Sequence, residues 1–153
     1  MLRVKIKDFK LNTDDKIGLE ASLPCSLSTV LAREEGTDPW RVSSSSSTVE
    51  FTGVVEIEPH VLSMKHICLR LSGISEPAEV VLNGKTISSP ESRERIYVYN
   101  VKDRLFPGYN TLVVRFSRDR RADALPGIRL RRGEVFDPAI GSATLLEIGR
   151  AHV

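Results

Sequence analysis

The sequence has few cysteines, which stabilise small secreted domains as disulfides, and no long apolar runs, which form membrane spans. Its two cysteines, Cys25 and Cys68, fall in a predicted loop and a predicted strand, which indicates two unrelated thiols and no disulfide or metal pair. No apolar run approaches the about 20 residues that cross a bilayer, and lysines interrupt residues 1–10 where a secretory signal would be apolar. We therefore expect a cytoplasmic protein with no membrane contact.

Aromatic residues and net charge are also scarce. Aromatic residues make up 6% of the chain, and the formal net charge is only +2. The segment 118–132 is rich in arginine, which is the electrostatic signature of nucleic-acid binding. Acidic residues are interleaved with these arginines, however, and no aromatic residues alternate with them to stack on bases. We predict no nucleic-acid partner.

Few residues are placed to hold a metal. His60 and His66 have no cysteine or carboxylate at a ligand spacing, and no motif for an organic cofactor is present. The sequence predicts neither a metal nor a cofactor.

What the sequence does contain is a series of strand patterns. A chain of 153 residues fits one domain, which at this size buries roughly 68–70% of its unfolded surface. Apolar residues alternate over 67–71, 80–82 and 112–116. The pair Asn83-Gly84 predicts a type I′ hairpin, and Pro107-Gly108 predicts the second hairpin turn. These features predict an all-β antiparallel β-sandwich.

Further elements complete this prediction. Residues 4–9 read as an edge strand protected by lysines, 17–21 as a short strand, and 49–57 as a strand interrupted by Gly53. Residues 26–33 predict one short helix ending at Gly36. The run of serines at 43–47 predicts a flexible or solvated loop. The next strand is marked by Ile96, Val98 and Val101, with Tyr97 and Tyr99 on its opposite face.

Three segments in order carry a resemblance to a known family. They read L-x-L-x-G-I at 69–74, A-E-V-V-L-N-G-K at 78–85, and V-x-D-x-L-x-x-G-x-N-x-L-x-V-x-F at 101–116. Together with the helix region and Asp38-Pro39, they resemble the amino-terminal sugar-binding jelly roll of glycoside hydrolase family 2, a galactose-binding-like domain. Within that family, the β-mannosidase-like branch is the most similar.

The resemblance implies a function without catalysis in this chain. Family 2 enzymes carry two catalytic glutamates on a separate barrel domain, and retaining glycosidases place such carboxyl groups about 5–5.5 Å apart. Nothing in this sequence specifies such a pair, and Glu50, Glu56 and Glu58 read as a solvated strand face. We expect an inactive domain of a glycoside hydrolase that packs on immunoglobulin-like and barrel domains and helps form the carbohydrate pocket. The alternative is a stand-alone carbohydrate-binding module.

Two residues are candidates for substrate contact. The resemblance matches Asp137, after the basic pair Arg131-Arg132, to an aspartate that reaches the sugar in β-mannosidases, although the tryptophans of that motif are missing here. A plain Asp-Pro turn is the other interpretation of Asp137. Trp40 is either a sugar-stacking platform or a partly buried packing residue.

The carboxyl end is set apart from the domain. Residues 148–153 resemble the translation of a common sequencing adapter, so we expect a non-native tail after a single domain over 1–147 that is truncated at its carboxyl end. A jelly roll whose last strand was replaced by such residues would carry an unpaired edge.

Overall fold

Twelve strands and one α-helix form the described part of the chain. The computed structural model describes residues 2–42, 44–90, 96–118 and 136–147. The elements are β1 (Arg3–Lys5), β2 (Asp8–Asn12), β3 (Leu19–Ser22), β4 (Cys25–Ser26), α1 (Leu27–Glu35), β5 (Thr48–Ile57), β6 (Ile67–Ser72), β7 (Ala78–Leu82), β8 (Lys85–Ser88), β9 (Tyr97–Asn100), β10 (Gly108–Ser117), β11 (Ala139–Ile140) and β12 (Ser142–Glu147).

Two antiparallel sheets hold most of these strands. One sheet has the order β3-β2-β5-β10-β7-β8, the other has the order β1-β12-β6-β9, and β4 pairs with β11 apart from both. Alternate residues of each strand point into one shared apolar core, where the rings of Phe51 and Phe116 meet edge to face at 5.9 Å. The predicted all-β sandwich with one short helix is confirmed.

The centre of the larger sheet is the pair β5 and β10, which is in register along its full length. Gly53 lies inside β5 and faces Phe9 of β2 across the ladder. A Cβ atom on Gly53 would lie only 2.7 Å from the ring of Phe9, so the ring occupies the space that a side chain would need. The glycine therefore does not interrupt the strand, contrary to the prediction from the sequence.

The two predicted hairpin turns have different outcomes. Asn83 and Gly84 have φ values of 51° and 81°, as a type I′ turn requires, and they join the paired strands β7 and β8. Pro107-Gly108 does not close a hairpin, because β9 lies in the smaller sheet and β10 in the larger. The second hairpin prediction is wrong, and this connection crosses between the layers of the sandwich.

The side chains of β9 that are buried also differ from the prediction. Ile96 and Val98 mark this strand in the sequence, yet both are more than half exposed. Tyr97 and Tyr99 instead lie against the core with nearly parallel rings, 6.3 Å between centroids. The aromatic pair buries more apolar area than the aliphatic pair would, which decides the facing.

Helix α1 has the limits that its capping residues predict. The Ser26 side chain accepts a hydrogen bond from the Thr29 N–H, and the Thr29 side chain accepts one from the Ser26 N–H, which together form a capping box. Gly36 ends the helix in the left-handed conformation at φ 69°. Leu27, Val30 and Leu31 form the buried face, so the predicted helix is confirmed.

The strands at two further segments differ from those predicted from the sequence. Residues 4–9 do not form one edge strand but contribute to β1 at the edge of the smaller sheet and to β2 inside the larger one. β12 continues to Glu147 and pairs with both β1 and β6, so the expected unpaired edge is not found at this strand. Residues 148–153 and 119–135 lie outside the described residues. No described helix is long and apolar enough to cross a membrane.

Candidate functional site

Asp137 lies at the first turn of α1. The pairing of β11 with β4 brings the segment 136–140 beside the helix start, and the Leu27 N–H donates to the Pro138 carbonyl at 2.8 Å. The Asp137 carboxylate accepts from the Ser28 N–H at 2.8 Å and from the Ser28 hydroxyl at 2.7 Å. Because the first N–H groups of a helix have no partner within it and carry partial positive charge, a carboxylate here is stabilised.

The cleft beside Asp137 is small. Its volume is about 20 Å³, roughly the space of one water molecule, whereas ligand pockets usually hold about 300–1,000 Å³. The described residues therefore enclose no cavity of the size of a sugar ring beside Asp137. The cleft is lined by Leu27, Ser28, Leu31, Val42, Ser44, Phe136 and Asp137.

Arg118 connects this cleft to the serine run. Its guanidinium donates to the carbonyls of Ser46 at 2.7 Å and Ser44 at 2.8 Å, and its Cζ atom lies 4.7 Å from the Phe136 ring centroid. Ser46 is buried, so the prediction of a solvated serine loop is wrong at that residue. Arg118 is the one described residue of the arginine-rich segment, and these contacts are all intramolecular.

Trp40 lies on a short 3-10 turn formed by Pro39–Arg41. The side chain is 78% exposed, so the interpretation of Trp40 as a partly buried packing residue is wrong. Its indole face is open to solvent and can stack on a planar or ring-shaped ligand. Among the described residues, Trp40 does not line the Asp137 cleft.

Two acidic residues of the larger sheet form an ion cluster with an arginine. Arg115 lies directly between Glu50 of β5 and Glu79 of β7, with its Nε 2.7 Å from Glu50 and its Nη1 2.6 Å from Glu79. The hydrogen bond to Glu50 raises the pKa of Arg115. Glu50 is thus held by a cation, where the sequence indicated only a solvated face. Glu79 was missed, because alternation gives the face of a residue but not its cross-strand partner.

A wider groove of about 400 Å³ opens beside β4 and β11. Burial raises the pKa of Cys25 in this groove to about 11. The thiol therefore stays protonated at neutral pH and is a poor nucleophile. The groove is lined by Pro24, Cys25, Ser26, Thr29, Gly73, Ala139, Ile140 and Gly141. Cys68 is also a free thiol. Within the described ranges, no group of three His, Cys, Asp or Glu side chains is placed to hold a metal ion.

The sequence also missed a network of side-chain amides. Asn110 is completely buried; it accepts from the Phe106 N–H at 2.8 Å and donates to the carbonyls of Phe106 and Gly108. The Asn83 amide donates to Asn110 Oδ1 at 2.8 Å and to the Arg104 carbonyl at 2.7 Å. Asn83 thus ties its own hairpin to the connection between the two sheets.

Comparison with known protein families identifies this β-sandwich. The chain belongs to the family described as glycosyl hydrolase 2 galactose-binding domain-like, whose model matches residues 21–125. A search of curated protein sequences gave no match.

Three solved structures that are similar to this chain are much longer proteins. A β-D-mannosidase from Dictyoglomus thermophilum matches 96% of this chain and 23% of its own, with 21% identity and a TM-score of 0.74. A β-glucuronidase from an uncultured Clostridium species matches 94% and 28%, with 15% identity and a TM-score of 0.68. A family 2 β-galacturonidase from Eisenbergiella tayi matches 97% and 24%, with 17% identity and a TM-score of 0.59. This chain spans about a quarter of the length of each.

Proposed function

We propose that this chain is the non-catalytic amino-terminal domain of a family 2 glycoside hydrolase that acts on β-linked sugars, in the β-mannosidase-like branch. In that enzyme the domain packs on immunoglobulin-like and barrel domains and forms one wall of the substrate pocket. The family match over residues 21–125 carries this proposal. The chain covers only about a quarter of each of these solved structures, which supports the proposal of a larger parent enzyme.

The geometry of the described residues supports a role without catalysis. Glycoside hydrolysis needs two carboxyl groups, of which one donates a proton and the other acts as nucleophile or base. Glu50 and Glu79 are both bound to Arg115, and the Asp137 carboxylate is bound to Ser28. None of these carboxylates is presented to a cavity as a free acid and base pair.

For substrate contact we propose Trp40 as a stacking surface and Asp137 as a residue at the pocket wall. The exposure of Trp40 supports the first assignment. Asp137 is half-buried, and a carboxylate has about four acceptor positions, so its bonds to Ser28 leave capacity for a sugar hydroxyl. In the parent enzyme, walls from the other domains would complete a cavity that this domain alone does not enclose.

Activity and binding measurements test the main proposal. The chain should hydrolyse no nitrophenyl β-mannoside, β-galactoside or β-glucuronide, and calorimetry with manno- and galacto-oligosaccharides should show no heat of binding. Hydrolysis by the purified chain would overturn the proposal. Millimolar or tighter binding would favour the second candidate, a stand-alone carbohydrate-binding module, for which the exposed Trp40 is the supporting observation.

The genomic DNA gives an independent test. We propose that residues 148–153 are translated adapter sequence, so that the native reading frame continues past the Glu147 codon. The expected result is an open frame that encodes immunoglobulin-like and barrel domains. A native stop codon directly after this position would overturn the assignment to a larger enzyme.

The substitution Asp137→Asn separates sugar contact from helix anchoring. We expect it to lower the melting temperature of the isolated chain, because Ser28 loses a charged acceptor. In the full-length enzyme, loss of a sugar contact would additionally raise KM when measured well below the melting temperature. An unchanged KM would assign Asp137 to anchoring alone.

A further inference from the structure

Four strands lie at the edges of the two sheets, and three of them carry charge. An unpaired strand edge can add a strand from another molecule, and charged side chains on the edge oppose this. β1 carries Arg3 and Lys5, β3 carries Glu20, and β8 carries Lys85. These charged side chains oppose the addition of another strand at their edges.

The fourth edge strand, β9, has the sequence Tyr-Val-Tyr-Asn and no charged residue. The outward side chain at its centre, Val98, is 51% exposed, and Ile96 just before it is 56% exposed. β-Branched and aromatic residues have the highest tendency to form strands. Of the four edge strands of the two larger sheets, β9 is therefore the one without a charged residue.

The backbone of β9 shows which groups are available. In an antiparallel ladder, residues alternate between those bonded to the neighbouring strand and those directed away from it. The Val101 N–H donates to the Ile67 carbonyl of β6 at 2.9 Å, so the odd-numbered residues of β9 are the ones bonded to β6. The N–H and C=O groups of Ile96, Val98 and Asn100 consequently face the open side.

We propose that two copies of this chain associate through β9, pairing antiparallel about a two-fold axis at Val98. Val98 would then lie opposite its own copy, Ile96 opposite Asn100, and Tyr97 opposite Tyr99. This register brings the free backbone groups of the even-numbered residues together as hydrogen-bonded pairs. It also keeps outward side chains opposite outward ones, as the pleat of a continuous sheet requires.

A second copy fits this edge because the strand is complementary to itself. Only neutral residues of the strand meet, and the inward tyrosines of the two copies form cross-strand aromatic pairs, which are among the favourable pairings in sheets. The two-fold contact uses the same edge of both copies, so the assembly closes at a dimer. The opposite edge of the enlarged sheet is β1, whose Arg3 and Lys5 oppose further growth.

Sedimentation of the full chain over a range of concentrations tests this inference. The expected result is a reversible shift from the monomer mass to twice that mass. Val98→Lys places two ammonium groups opposite each other and should raise the dissociation constant at least about tenfold. Val98→Pro should weaken the dimer as strongly, because it removes an N–H on the open side while the bonds to β6 remain.

Val54→Lys is the matched control. Val54 is 54% exposed on β5, a strand with neighbours on both sides, so this substitution should leave the dissociation constant unchanged. Hydrogen exchange adds a register-specific measurement: the amides of Ile96, Val98 and Asn100 should exchange more slowly as the concentration rises, whereas those of Tyr97 and Tyr99 should not change. A chain that stays monomeric, a dimer unaffected by either Val98 variant, or growth beyond a dimer would overturn the proposal.

Discussion

The connection between β9 and β10 and the serine segment 44–47 before β5 are both polar stretches outside the sheets, but different chemistry orders them. Neutral amides hold the first, with Asn110 completely buried among the backbone groups of its own loop. Charged groups hold the second: Asp14 accepts from the N–H groups of Ser47 and Thr48, and Arg118 donates to the carbonyls of Ser44 and Ser46.

The difference follows from the surroundings of the two segments. The Asn110 side chain is completely buried. At such a position an unpaired charge would be costly, whereas an amide can satisfy donors and acceptors at once. The Asp14 carboxylate lies at the surface, where water screens its charge and the gain is smaller. We therefore expect the amide network to contribute more stability and to be independent of pH.

The largest effect should come from Asn110→Ala. This substitution empties the buried position of the Asn110 side chain and leaves the Phe106 N–H and neighbouring carbonyls without their part-buried partner, and we expect a loss of about 3 kcal/mol in the free energy of unfolding. Urea denaturation between pH 5 and 8 measures this loss, which should not vary with pH. Asn100→Ala, at an exposed position, is the control and should cost far less. Equal losses for both variants would contradict a structural role for the network.

Asn83→Ala should have the next largest effect. It removes the acceptor of the Thr111 N–H and the donor to the Arg104 carbonyl, and it places alanine at φ 51°. We expect a loss of about 2 kcal/mol. The double variant with Asn110→Ala should lose less than the sum of the two single losses, because the two amides bond to each other. Strict additivity would show that the hairpin and the connection are independent.

Arg118→Lys should have a smaller effect. Lysine keeps the charge but cannot bridge both serine carbonyls while lying over the Phe136 ring. We expect a loss of about 1 kcal/mol, measured by thermal or urea denaturation. Arg104→Lys, at an exposed side chain, is the matched control and should be neutral. A neutral Arg118→Lys would mean that charge alone orders the serine segment.

Asp14→Asn should have the smallest effect at neutral pH and a distinct pH dependence. Hydrogen bonds from the N–H groups of Ser47 and Thr48 lower the pKa of the Asp14 carboxyl below its ordinary value of 3.8. A lowered pKa stabilises the folded state fully above the unfolded pKa, and this contribution is lost as the pH falls through the folded pKa. The difference in the free energy of unfolding between wild type and variant should be constant above about pH 4. It should shrink toward zero as the pH falls further. A difference that grows in acid would contradict this assignment.

Short-range patterns in the sequence predicted most of the elements correctly. Helix α1 and the Asn83-Gly84 hairpin depend on capping residues and positive φ angles, which are properties of a few adjacent residues. Pro107-Gly108 shows the limit of such patterns. The chain does bend at Pro107, and Gly108 has a φ of 93°, but the strands on either side pair elsewhere, and the choice of partner is made by distant residues.

The candidate site shows the same limit. The sequence identified Trp40 as an aromatic with two alternative roles, and only the packing around it decided its exposure. The Ser28 contacts of Asp137 and the buried Ser46 join residues far apart in the chain, so no local motif could reveal them. The sequence did not show which face of β9 is buried, because tyrosine, isoleucine and valine are all suited to strands; burial of the larger tyrosine rings determined which face turned inward.

The sequence by itself determined the β-sandwich class, the helix with its caps, one hairpin and, through the order of its motifs, the family. These properties rest on alternation and backbone preference over a few residues. Only the tertiary structure decided which sheet each strand joined, which face of β9 became buried, and which side chains order the polar segments. Those outcomes depend on contacts between distant parts of the chain, where burial of apolar area and satisfaction of buried polar groups outweigh local preference.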